Sequence, residues 1–243
     1  MMKSGNPALS KKTFNNLKST TGEVMTLDGT VNKTAMSLAI LLFAAYYTYS
    51  NPIVEYMWIG FGGGLVMAVV TILKKEWSPI TVPIYAVLEG LFLGGISKIY
   101  ADLFEPGIVP QAISLTLGIL IALLFAYKTR IIKVTENFKL GIFAATAGIG
   151  VVYLISLLMS LFGSGGLPIM NPTNASMISI GFSLFVVVIA SLNLVMDFDF
   201  IEHGAENGAP KYMEWYGAFG LLVTLIWLYL EILKLLAKLS SRK

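Results

Sequence analysis

Cysteine is absent from the 243-residue chain. That removes disulfides, thiol nucleophiles and zinc–thiolate centres. Histidine occurs once, as His203, whereas intramembrane metal hydrolases draw on two or three imidazoles at helical spacing. No serine stands in a G-x-S-x-G elbow, so serine-hydrolase chemistry lacks its nucleophile. Charge is scarce too, at 13% Asp, Glu, Lys and Arg against about 25% in an ordinary soluble domain. The net charge of +3 is spread over loops and tails, not gathered into a basic stripe with stacking aromatics, and nucleic acid is not an expected partner. Asp197 and Asp199 could suggest a paired-aspartate protease, but two residues apart on a helix they point about 200° away from each other. No enzyme and no tightly bound cofactor is expected.

Long apolar runs take the place of what is missing. Hydrophobic residues make up 56% of the chain and the mean hydropathy is +0.76. A water-soluble fold has no interior large enough to hide that much apolar surface, so the lipid bilayer is the expected partner. Runs at roughly 34–50, 54–73, 79–103, 107–127, 138–163, 175–199 and 212–239 are each near the ~20 residues that cross a hydrocarbon core. They do not alternate apolar and polar residues as barrel strands do, and helices are the other solution open to a backbone in lipid. The expected fold is an all-α integral membrane bundle of seven transmembrane helices over residues 34–243, preceded by a polar tail, 1–33. The first apolar run starts too late for a signal peptide and reads as a retained span. Glycines at 60, 62, 63 and 64, at 90, 94 and 95, and at 141, 148 and 150 predict close helix packing.

Basic residues orient the bundle. Lys3, Lys11, Lys12, Lys18 and Lys33 in the tail share one side with Lys74, Lys75, Lys128, Arg130, Lys133, Lys139 and Lys211, which predicts a cytoplasmic N-terminus. Lys234, Lys238, Arg242 and Lys243 argue against this, because seven crossings put the C-terminus on the far side.

Acidic residues within apolar runs are the functional lead. A charge at the bilayer centre costs at least ~2.5–3.5 kcal/mol, yet Asp197 and Asp199 close the sixth run and Glu231 lies inside the seventh. If Asp197 and Glu231 meet, they cannot both ionise cheaply and would share a proton. Ionised, they repel or take up a hard cation, and Ca²⁺ accepts carboxylate and carbonyl oxygens without strict geometry. The plain alternative is that Asp197 and Asp199 mark a helix end in water. Glu89, flanked by Gly90 within the third run, is either a bundle-facing functional acid or a hydrogen-bonded structural one.

These residues resemble a family. Val195-Met196-Asp197-Phe198-Asp199-Phe200-Ile201, a polar turn and Leu228-Tyr229-Leu230-Glu231-Ile232 are similar to the C-terminal pattern of the Bax inhibitor / transmembrane BAX inhibitor motif family, in its bacterial branch. Asn6-Pro7-Ala8-Leu9-Ser10, Leu88-Glu89-Gly90-Leu91-Phe92-Leu93-Gly94 and Glu214-Trp215-Tyr216-Gly217-Ala218-Phe219 extend the likeness over nearly the whole chain. The resemblance implies a seven-helix fold with the last helix central, a bacterial inner-membrane location and a pH-sensitive calcium leak. It implies that the sixth- and seventh-helix acids, here Asp197 and Glu231, pair as the proton and metal site. Lys74 or Lys75 stands where the family keeps a basic latch. Glu for the more usual Asp, Lys for Arg and a longer separation between the acids set this chain apart. The expected function is a Ca²⁺ leak governed by the carboxylates. The alternative is a membrane regulator that binds other membrane proteins through residues 1–33.

Overall fold

The computed structural model describes residues 22–163 and 165–242. Within them the chain forms seven long helices: α1 (Leu27–Ser50), α2 (Val54–Leu73), α3 (Ser78–Leu103), α4 (Ile108–Lys128), α5 (Glu136–Leu161), α6 (Met177–Glu206) and α7 (Met213–Ser240). An isolated antiparallel bridge, Val24 to Pro210, is the β-structure among the described residues. Six of the helices, α2 to α7, are long and apolar enough to cross a membrane. α1 has the length, at 24 residues, but carries Asp28, Asn32 and Lys33 in its first turns and is less apolar than the other six. Of the six, α7 is the most enclosed, with 67% of its apolar window buried against 11% for α5.

Two boundaries differ from the sequence reading. α1 begins at Leu27, because the Thr26 hydroxyl accepts the Gly29 N–H and caps it. Residues 27–33, read as tail, are therefore its first turns; the tail before residue 22 lies outside the described residues. α6 does not stop near residue 199 but runs on to Glu206. Nothing there breaks a helix until Gly208, whose φ of 65° ends it with the N–H groups of Gly208 and Ala209 turned back onto Ala205 and Gly204, followed by Pro210. At 30 residues, about 45 Å, α6 outruns the apolar core. Asp197 and Asp199 consequently lie within the helix, not at its end.

The chain divides into two compact units. The first comprises the described residues up to 99 together with 197–223, and holds α1, α2, most of α3, the end of α6 and the start of α7. Its helices meet through glycine. On α2, Gly60 faces the backbone of Leu88 and Phe92 in α3, and Gly64 faces the Glu89 carboxyl. On α3, Gly90 and Gly94 lie against the carbonyls of Leu41 and Ala45 in α1, and Gly95 against Met57 of α2. Such contacts bring backbones close enough to pack without side chains between them. Thr71 donates to Thr81 at 2.8 Å, Ser78 donates to the Tyr212 carbonyl at 2.8 Å, and Tyr85 meets Phe219 edge-on at 5.0 Å. Gly94→Val drives a branched side chain into the α1 backbone; overpacking of this kind costs about 1–3 kcal/mol. The purified variant is expected to melt below wild type in detergent, while Gly148→Val, whose Cβ meets nothing within 4 Å, melts with it.

The second unit comprises 100–196 and the described residues from 224 onward: α4, α5, most of α6 and the rest of α7. Ile142 and Ile149 of α5 pack on Val186, Ile189 and Met196 of α6, with Tyr153 and Trp227 against them. Asn193 donates to the Thr146 hydroxyl at 2.9 Å, a polar tie between α5 and α6. The glycines of α5 take no part. Gly141, Gly148 and Gly150 have open space where a Cβ would stand, because they lie on the exposed side of a helix whose buried residues are Lys139, Ile142 and Ile149. The expectation that they mediate close packing is corrected accordingly.

Candidate functional site

Glu231 sits among apolar residues of α7, 3% exposed, in the second unit. A lone carboxylate in that setting needs partners, and two are present. The Tyr153 hydroxyl of α5 donates to Oε1 at 2.6 Å, and the Lys234 ammonium, one turn further along α7, reaches the same oxygen at 2.8 Å. The ammonium also lies 5.0 Å from the centroid of the Tyr153 ring, within cation–π range. One turn on again, Lys238 is fully buried. Its ammonium donates to the carbonyls of Ile169 and Ser179 and to the Ser183 hydroxyl, at 2.6, 3.2 and 2.8 Å.

Sequence reasoning missed both lysines and Tyr153. It counted Lys234 and Lys238 among the basic residues of the C-terminal end, whereas Lys238 is fully buried and Lys234, partly covered, is engaged with Glu231. The spacing of Glu231 and Lys234, three apart on one helix face, was the available signal for the first. Nothing local marked Lys238, whose partners come from the α5–α6 connection and the start of α6.

Asp197 lies in the first unit, fully buried. Asp199, 9% exposed, stands beside His203 of the last turn of α6. The His203 Nδ1 is 2.7 Å from the Asp199 carbonyl and 3.6 Å from its carboxylate. His203 is thus helical. Glu89 on α3 is half-buried, its carboxyl against Gly64. Lys74 ends α2 and is exposed; Lys75 holds its ammonium 5.8 Å from the centre of the Tyr216 ring.

Glu214, in the first turn of α7 and 1% exposed, is a further acid that sequence reasoning did not single out as a site. Its Oε1 accepts the N–H and hydroxyl of Thr26, at 3.0 and 2.8 Å, and pairs with Lys211 at 2.9 Å. Met25 donates to the Ala209 carbonyl at 2.7 Å. The segment entering α1 is thereby sewn to the α6–α7 connection. In that connection, burial pushes the Tyr212 phenol above its ordinary range, and the charge of Glu76 adds to the shift.

Asp197 and Glu231 fall in different units. Measured along their helices, Asp197 is nine residues before the end of α6, about 13 Å, and Glu231 eighteen residues past the start of α7, about 27 Å. Among the described residues no three or more His, Cys, Asp or Glu side chains converge on one point. A hard cation at either acid would therefore take its remaining ligands from hydroxyl, carbonyl or water oxygen, the donor class that Ca²⁺ accepts.

The family model described as Bax inhibitor 1 like matches residues 6–241. No protein of curated function matched the chain. The match takes in all seven helices and each acid described above, and the apolar helices make the protein an integral membrane one: the chain belongs to the Bax inhibitor 1 like family.

Proposed function

We propose that this protein is a pH-sensitive cation leak, with Ca²⁺ the ion passed, governed by protonation of Asp197 and Glu231. The observation that carries the reading is the full or nearly full burial of these two acids within apolar helices of a membrane protein, where an ionisable group is costly and marks an ion or proton path. Ionised, each attracts a cation; protonated, neither does. Flux therefore rises with pH. Lys74 and Lys75 act as basic groups at the end of α2 that compete for the acids, Asp199 and Glu89 are secondary cation contacts, and the protein resides in a bacterial plasma membrane with its N-terminus cytoplasmic. The full burial of Lys238 supports that orientation, since a buried lysine does not count as a loop charge.

The test is Ca²⁺ uptake by proteoliposomes between about pH 5 and about pH 8. Wild type is expected to show a step upward with pH that Asp197→Asn and Glu231→Gln each lose. Correctly inserted protein that carries no Ca²⁺ at any pH overturns the leak and favours a regulator acting through partner proteins. Orientation is checked separately, because a chain without cysteine accepts single probes. Asn51→Cys is expected to react with a membrane-impermeant maleimide in intact cells, and Thr129→Cys only after permeabilisation.

A further inference from the structure

The contacts of Glu231 are lopsided. Tyr153 and Lys234 both act on Oε1. The Glu231 side chain is 4% exposed and that of Lys234 23%, so the acid is enclosed while the lysine is only partly covered. The charge of Glu231 also acts on Tyr100 of α3 and Lys238 of α7. Lys238 is committed to Ile169, Ser179 and Ser183. Lys234 is thus the one ammonium in direct contact with the acid among the described residues. It is a point charge on a flexible stem without the planar fork of Arg, and it can leave the carboxylate by rotating outward along that stem.

From this geometry we propose that Lys234 is a tethered cation occupying the Glu231 carboxylate, and that a divalent cation binds there only by displacing it. Without a free cation the ammonium satisfies the acid inside the helix bundle. With one, the carboxylate and the Tyr153 oxygen form one side of an oxygen-ligand site, and the ammonium moves to the exposed end of its stem. The lysine sets how much cation is needed for occupancy, so it is a specificity-determining residue of the acid, not a member of the path itself. The inference deepens the leak reading and rests on it for its physiological meaning, but its test reads binding and not flux.

Terbium(III) replaces Ca²⁺ at oxygen sites and luminesces when a neighbouring aromatic ring is excited; Tyr153 and Trp227 are in place to sensitise it. Titrating detergent-solubilised full-length protein with terbium, the Glu231-dependent signal is the part lost in Glu231→Gln. Lys234→Gln is expected to bind terbium roughly tenfold more tightly or better, since a positive charge in contact with the ligand oxygen has been removed. Lys234→Met, which keeps the apolar stem, gives the same gain. Lys234→Arg stays near wild type, and Glu231→Gln with Lys234→Gln loses the gained signal. Unchanged or weaker binding in both neutral variants overturns the tether. A gain in terbium binding from a protein that passes no Ca²⁺ keeps the tether and discards the leak.

Discussion

Lys238→Ala is expected to be the most destabilising single substitution of a charged residue in the second unit. The ammonium ties two carbonyls and a hydroxyl from three points of the chain, Ile169, Ser179 and Ser183, to the last turns of α7. Removing it leaves three acceptors at a site from which water is excluded, and an unmet buried polar group costs about 1–3 kcal/mol. The stem is lost as well, so a cavity adds to the penalty. In thermal unfolding in detergent the midpoint should fall by about 6 °C or more, taking roughly 3 kcal/mol and 2–4 °C per kcal/mol for a chain of this size. Lys238→Arg keeps the charge but brings a larger, planar head, and is expected to recover only part of the loss. A midpoint unchanged in Lys238→Ala would show that the three acceptors find other donors.

Glu214→Ala is expected to open the entry to α1. One carboxylate oxygen accepts the Thr26 N–H and hydroxyl and pairs with Lys211, while Thr26 in turn caps α1 through Gly29. Losing the acid removes an acceptor from a backbone donor and loosens a cap, for a combined cost of about 2–3 kcal/mol. Limited proteolysis should then cut near residues 22–30 at protease levels that leave wild type intact. Glu214→Gln, which keeps an oxygen for Thr26, should sit between the two. Gly29→Ala reaches the same outcome from the other side, because a Cβ there overlaps the Glu214 carboxyl. If Glu214→Ala is as resistant as wild type, the contact does not hold the segment.

The helices were largely legible in the sequence. α2 was expected at 54–73 and is found there, and the other ends moved by a few residues save at α1 and α6. Both exceptions had local signals that the apolar run outweighed: Thr26 as a cap, and Asn207-Gly208 with Pro210 as a stop. The candidate site was legible only in part. The acids stood out because a charge within an apolar run is visible at a glance, whereas Tyr153 is seventy-eight residues away from Glu231 and has no pattern that announces it.

What the sequence by itself determined is the class of the protein: helical, membrane-embedded and carrying carboxylates where lipid-soluble chains rarely do. Apolar run length is a local property, and in lipid a backbone must satisfy its own hydrogen bonds, so no tertiary information was needed. The tertiary structure decided which glycines are contacts and which charges are interior. Gly94 and Gly148 read alike along the chain, but one faces a neighbouring backbone and the other open space. Lys234 and Lys238 read as a basic tail, yet one holds an acid and the other three acceptors. In each case the deciding fact is which face of a helix meets another element, and that is set by partners distant in sequence.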